Sequence, residues 1–283
     1  MGIVGVGRAG TALGRALARA GHSVLAVSAV SEASVSRARA NFPLAAIAEP
    51  ADVVRAADLV LLTVPDDTLP GLVAGLVATG APVAGRMLVH ASGRYGIAVL
   101  EPAARAGALP LALHPVMTFT GREEDADRLK GLRFGVTSPD VLRPAAEALV
   151  IEMGGEPVFI AESDREQYHA AIALAANNLT TLVAEAGDLL RAAGVAEPAR
   201  LLGPLLSATL DNALRLGDLG LTGPVARGDA GTVRAHIAAL AGAPATRDAY
   251  VALARLTADR ALAVGLLKPA DAERLLEVLG DAS

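Results

Sequence analysis

Three glycines near the start of the chain restrict what can follow them. Gly5-Val6-Gly7-Arg8-Ala9-Gly10 stands directly after the apolar run 2–5, precedes the helical pattern 11–20, and is closed by a second β-branched run at 23–27. In a chain with 29 glycines such spacing alone says little, but between a strand and a helix each glycine acquires a task. One permits a tight turn, one lets a phosphate approach the backbone, one lets helix pack on strand, and the helix N-terminus attracts negative charge. The pattern predicts a doubly wound α/β domain whose first turn, through Gly5, Gly7, Arg8, Ala9 and Gly10, cradles a dinucleotide.

The alternation continues along the first half. Further strands are expected at 58–64, 87–91, 109–113, 133–137 and 157–160, with helices at 31–41, 68–76 and 143–153. The continuous apolar strands suit a parallel sheet covered on both faces. Past Ser163 no strand pattern appears, and helices are expected at 167–193, 200–216, 230–241, 245–263 and 270–279. The reading is an α/β Rossmann-like, mostly parallel sheet over 1–162, followed by an all-α domain over 163–283.

Composition narrows the function. A net charge of -5 leaves no basic surface for nucleic acid, and the absence of cysteine removes disulfides, thiolate metal sites and thiol nucleophiles. No pair of His, Asp or Glu has ligand spacing with a third group in view, so no metal site is expected. The sequence opens on the first strand without a leader pattern, and no apolar stretch reaches membrane-spanning length, so a cytoplasmic protein without membrane contact is expected.

The residues after the second strand bear on the cofactor. An acid that would hold a ribose 2′-hydroxyl is missing there: Ser28 occupies the place, and no carboxylate follows before Glu32. Ser28 and Ser31, with Arg8 or Arg37 for positive charge, favour NADP over NAD. Val64, Pro65 and Asp66, at the end of the 58–64 strand, border the expected cofactor crevice. Asp66 is equally readable as a plain helix N-cap.

Polar groups for chemistry gather at strand ends: His90-Ala91-Ser92-Gly93 and His114-Pro115-Val116-Met117-Thr118-Phe119. Histidine exchanges protons near neutral pH, as hydride transfer to a carbonyl or imine requires. His90 reads more readily as a structural hydrogen-bonder than His114 does. In the first long helix, His169, Ala173 and Asn177 share a face, and the successive Asn177 and Asn178 need partners across domains or on a ligand. Arg227, in the turn Thr222–Asp229, suits a substrate carboxylate, or belongs to an Arg227–Asp229 structural turn or a dimer contact.

Together these motifs resemble two-domain reductases with a Rossmann domain and a 6-phosphogluconate dehydrogenase-like helical domain: ketopantoate and pyrroline-5-carboxylate reductases, and hydroxyisobutyrate and prephenate dehydrogenases. The set His90–Gly93, His114–Phe119, Tyr168–Ala171, Asn177 and Thr222 to Asp229 is most similar to a bacterial family of NADP oxidoreductases whose C-terminal half is a domain of unknown function. The resemblance implies reduction of a small oxo or imino carboxylic acid, with His114 as acid/base oriented by Ser92, with His169 and Asn177 at the substrate, and with Thr118, Asn178 and Arg227 as further substrate contacts. Ser92 also borders the cofactor in this reading. The helical lysine of the hydroxyisobutyrate type is absent: alignment on Asn177 puts Leu174 there, and Lys130 and Lys268 lie elsewhere. A cofactor-binding sensor without catalysis, or a helical dimerisation partner with the Rossmann fold as scaffold, is the alternative. The apolar helices imply a homodimer through the second domain.

Overall fold

The computed structural model describes residues 1–280. Two compact units are present, Met1–Asn177 and a second beginning at Asn178. In the first, β1 (Gly2–Val4), β2 (Ala26–Ser28), β3 (Ala46–Ile47), β4 (Leu59–Leu62), β5 (Met87–His90), β6 (Leu109–Pro115), β7 (Arg133–Thr137) and β8 (Glu156–Phe159) form one sheet. The order is β3-β2-β1-β4-β5-β6-β7-β8. Every pairing is parallel except β6 with β7. The chain runs outward from β1 to β3, then restarts on the other side of β1 at β4. That reversal leaves a crevice beyond the carboxyl ends of β1 and β4.

Strand alternation divides the side chains between two cores. Ile3, Val27, Leu61 and Val89 join Leu13 and Leu17 of α1 (Arg8–Arg19), Ala38 of α2 (Glu32–Asn41) and Val150 of α6 (Arg143–Glu152). Val4, Val60, Leu62 and Leu88 pack instead with Val53 of α3 (Pro50–Ala56), Val73 of α4 (Leu69–Ala78) and Ala103 of α5 (Glu101–Arg105). Both faces are covered, which is why these strands read as unbroken apolar runs.

Several boundaries differ from the sequence reading. β2 begins at Ala26 rather than at residue 23, and Ser28 is its last residue instead of the first beyond it. β6 runs on to Pro115, so His114 lies within the strand, opposite Gly135 of β7. The pair β3 and α3 gave no sequence signal, because the two strand residues are exposed and the helix has only seven.

The change of character near 163 coincides with α7 (Arg165–Ala192), although the compact units divide farther along, after Asn177. The second unit contains α8 (Pro198–Leu216), α9 (Gly223–Ala226), α10 (Ala230–Ala239), α11 (Pro244–Ala263) and α12 (Pro269–Gly280). Proline within the first turn starts α8, α9 and α11, where its missing N–H has no helical partner to lose. The core is built from small aliphatics, among them Val233, Val251, Ala254, Ala258, Ala261 and Leu275. Helix α8 stands apart: of its 19 residues only Pro198 is buried, and Leu205 and Leu214 are 61% and 79% exposed. The same unit has an apolar groove of about 530 Å³ lined by Leu182, Leu189, Leu240 and Leu253, with His236 and Tyr250 at its polar side.

Phe134, on β7, is fully buried, and its ring fills the space that a side chain at Gly155 would need. Phe134→Ala should lower stability by about 3–5 kcal/mol, read from urea denaturation.

Candidate active site

The glycine turn is packed as the spacing requires. Gly5 has φ +96°, and a Cβ there would lie 2.8 Å from the Thr63 carbonyl oxygen. A Cβ on Gly10 would meet the Gly5 carbonyl at 2.4 Å and Thr63 Oγ1 at 2.3 Å. Around Gly7 there is nothing within 4 Å of that position. Thus Gly5 and Gly10 are held by protein, while Gly7 faces open space where a pyrophosphate fits. Gly7 also caps α1 without any side chain, leaving the first-turn amides of Arg8, Ala9 and Gly10 for a ligand anion. Thr63, unnoticed in the sequence, closes the cradle by donating from Oγ1 to the Gly5 carbonyl at 2.7 Å.

Two arginines flank the turn. Arg8 is exposed and donates to the Phe119 carbonyl at 3.3 Å. Arg37 of α2 reaches back to the Val6 carbonyl at 2.9 Å. Ser28 is buried, and its carbonyl accepts from Gly5 N at 3.0 Å. A cavity of about 510 Å³ opens beside it, lined by Ser28, Ala29, Val30, Ala48 and Glu49. Glu49, two residues past β3, puts a carboxylate among the residues lining this cavity. The sequence hides this residue because no recognisable strand precedes it. Ser31 caps α2, accepting from Ser34 N at 3.2 Å, and remains exposed on the same side of β2. Val64 and Asp66 are half-buried and Pro65 is exposed. The N-cap reading of Asp66 is corrected: Thr68 takes that place in α4 without a side-chain bond, and the Pro65 and Asp66 carbonyls accept from Leu69 N at 3.2 and 3.3 Å.

The strand-end histidines have different surroundings. His90 is fully buried, with Nδ1 accepting from Ser92 N at 3.2 Å and Nε2 2.8 Å from the Gly96 carbonyl. These partners place the proton on Nε2 and make His90 a structural bridge. Burial pushes its pKa down to about 4, the Gly96 bond opposing and the Arg165 cation adding to that effect.

His114 meets two rings of α7. Its Nδ1 lies 2.8 Å from the Tyr168 hydroxyl, and its ring stands edge-on to Tyr168 and His169, with centroids at 5.7 and 6.2 Å. Burial first, then the charges of Arg165, His169 and His90, lowers its pKa to about 4. The expected orienting role of Ser92 is therefore corrected: Tyr168 holds His114, while Ser92 Oγ accepts from Tyr95 N at 3.2 Å. Ser92 had the appropriate strand-end position, but its hydroxyl turns back into its own loop.

Missing side chains make the convergence possible. A Cβ on Gly93 would be 2.7 Å from His169 Cδ2 and 2.9 Å from His114 Cε1 and Nε2. One on Gly135 would be 2.3 Å from the Tyr168 hydroxyl. Burial raises the Tyr168 pKa, and the Arg165 cation opposes that shift. Just before α7, the Glu162 carboxylate accepts from the amides of Ile97 and Ala98 at 2.7 and 3.1 Å. The loop from β5 is thereby tied to the start of this helix.

The other candidates are less closely joined to this cluster. Thr118 is exposed, and Asn177 lies exposed on α7 at the end of the first unit. Asn178 and Arg227, both exposed, belong to the second unit. There Asp229 caps α10 by accepting from Thr232 N and Oγ1 at 3.0 and 2.6 Å, bonds that hold its pKa below the ordinary carboxylate value. Residues 227–229 form the structural turn between α9 and α10, with Gly228 at φ +75° and Asp229 N donating to the Pro224 carbonyl at 2.8 Å. Among the described residues no group of three or more His, Cys, Asp or Glu could hold a metal ion, and no helix is long and apolar enough to cross a membrane.

Residues 1–115 match a Rossmann-like domain family, and residues 132–257 match a domain of unknown function, DUF2520. No curated protein matches this chain. Among solved structures, Bacteroides fragilis BF3122, provisionally assigned as an NADP oxidoreductase, is 23% identical, with a TM-score of 0.73 over 91% of this chain and 97% of that one. The Streptomyces aurantiacus imine reductase is 18% identical, with a TM-score of 0.66 over 97% and 98%. Plasmodium falciparum pyrroline carboxylate reductase with NADP bound is 13% identical, with a TM-score of 0.56 over 79% and 84%.

The two low histidine pKa values set an acid limit on stability. Folded His90 and His114 take up protons only near pH 4, whereas an unfolded histidine does so near pH 6.5. Between those values the unfolded chain binds more protons, so stability falls as pH drops through the window, by about 3 kcal/mol per histidine, and these groups add no further loss below it. Urea midpoints across the window should show this slope, and His114→Gln should flatten it by about one proton. Imidazole NMR should give a His114 midpoint near 4; a midpoint near 6.5 would count against the buried arrangement.

Proposed function

We propose that this protein is an NADP-dependent oxidoreductase that reduces a small oxo or imino carboxylic acid. The observation that carries the reading is the convergence of His114, Tyr168 and His169 at the carboxyl-end side of the sheet that also bears the Gly5–Gly10 cradle. A bound reduced nicotinamide would supply hydride. The residues present would supply an anion seat at the amides of Arg8, Ala9 and Gly10, and a proton route through Tyr168 and His114. Thr118, His169 and Asn177 are the polar groups of this unit assigned to substrate, and Ser92 borders the cofactor. The imine reductase and pyrroline carboxylate reductase folds make a C=N bond the first substrate class to try.

Arg37 favours the phosphorylated cofactor, since a guanidinium beside the turn suits a 2′-phosphate. Glu49 on the neighbouring rim suits an unphosphorylated ribose, so both cofactors belong in the assay. Cyclic imines and 2-oxo acids are offered with NADPH or NADH, and cofactor absorbance is followed. Consumption is expected, faster with NADPH. Tyr168→Phe and His114→Gln should each lower kcat by about 10²–10⁴-fold while leaving NADPH affinity within about twofold. Tight NADPH binding without turnover across the panel would favour the sensor reading instead.

We also infer that the second unit pairs with a second copy. A helix of this length draws most of its stability from packing, yet α8 leaves its leucines in solvent. One copy offers both an uncovered helix and an apolar groove, and a two-fold exchange covers both. Sedimentation should show a dimer that Leu205→Glu converts to monomer; a wild-type monomer at micromolar concentration overturns this.

A further inference from the structure

Arg165 is 1% exposed, in the first turn of α7. Neutral oxygens hold its guanidinium: Nε donates to Thr137 Oγ1 at 2.7 Å, and Nη2 donates to the Gly135 and Ala112 carbonyls at 3.0 and 3.3 Å. Nη1 is shielded from water with no partner. The acid whose charge it feels, Glu162, directs both carboxylate oxygens to the amides of Ile97 and Ala98. Burying a cation on such terms is costly, and an apolar side chain of similar volume would fill the space at lower cost. Its value therefore lies in what the charge acts upon.

The Tyr168 ring centroid lies 5.6 Å from the Arg165 guanidinium carbon. Gly135 joins the two closely, since its carbonyl accepts from Arg165 and its missing Cβ makes room for the Tyr168 hydroxyl. The titratable groups around that hydroxyl are His90 on β5, His114 on β6, Glu162 before α7, and Arg165 and His169 on α7.

We propose that Arg165 is a positioning residue for proton transfer: it fixes Tyr168 against His114 and stabilises the phenolate that remains when this pair protonates the substrate. The proposal rests on the oxidoreductase reading. As hydride from the reduced cofactor forms the new C–H bond and the substrate C=N or C=O π bond opens, His114 Nε2–H gives its proton to the substrate nitrogen or oxygen. His114 Nδ1 takes the hydroxyl proton of Tyr168. The imidazole ends neutral, the cofactor is oxidised, and the Tyr168 phenolate is left beside the guanidinium until solvent reprotonates it. Neutral histidine thus acts as a conduit, which agrees with the lowered proton affinity that burial and Arg165 impose on His114.

The test compares R165K, which keeps the charge, with R165Q and R165M, which do not. Tyr168 is followed in the full-length protein by NMR of labelled tyrosine, with assignment by Tyr168→Phe. In R165Q and R165M its ionisation midpoint should rise by about one to two pH units, and the His114 midpoint should also rise. In R165K both should stay near wild type. With an imine substrate, the basic limb of the kcat profile should move upward with the Tyr168 midpoint, and kcat should fall about 10²–10³-fold in the neutral variants. Unmoved midpoints in a folded neutral variant would overturn the proposal. If neither neutral variant folds, R165K decides: a near-normal Tyr168 midpoint with turnover supports it, and lost turnover in a folded protein overturns it. Moved midpoints with no reductase activity in wild type would remove the oxidoreductase reading while leaving the electrostatic coupling in place.

Discussion

The first unit depends on how closely α1 approaches β1. With Gly10 against the Gly5 carbonyl and Thr63, the helix begins almost on top of the strand it follows. That contact admits no Cβ, and it sets the direction in which the chain leaves β1. The strands on either side are laid down outward from there, so the crevice beyond β1 and β4 is a product of the same contact. Thr63 gives the clearest sign of this dependence, since one hydroxyl from the neighbouring strand's exit fastens the turn that begins the fold.

Much of this was readable in the sequence because continuous apolar strands and a glycine turn both leave strong marks. Buried parallel strands have no polar face to blur them, and the motif is local. What escaped notice was weak locally and strong only in three dimensions. β3 has two residues and both are exposed, so its partner helix and Glu49 went unseen with it. The strand-end histidines were legible as residue types in appropriate places, but their partners were not. Ser92 is near His114 in strand order, yet Tyr168 reaches it from a distant stretch of sequence through the space left by Gly135. No spacing rule records such a gap. Glycines 93 and 135 mark it only once the neighbouring rings are known.

The second unit illustrates the opposite case, in which helices were easy to identify and their environment was not. Alanines at 254, 258 and 261 allow α11 to lie close to its neighbours, and the resulting core is made from small contacts. Helix α8 has leucines of the same general appearance, but they face solvent. Periodicity identifies an apolar face without saying which surface covers it.

Glu162 joins two parts of the first unit that are far apart in sequence. Its carboxylate grips the amides of Ile97 and Ala98, while three residues later the chain enters α7 with Arg165 and then Tyr168. The loop bearing Ser92 and Gly93 is therefore mechanically coupled to the helix bearing Tyr168 and His169. A tilt of that helix would pull on the loop, and a ligand that displaced the loop would strain the helix start. Closure around a ligand, in such an arrangement, would move both walls of the histidine cluster together.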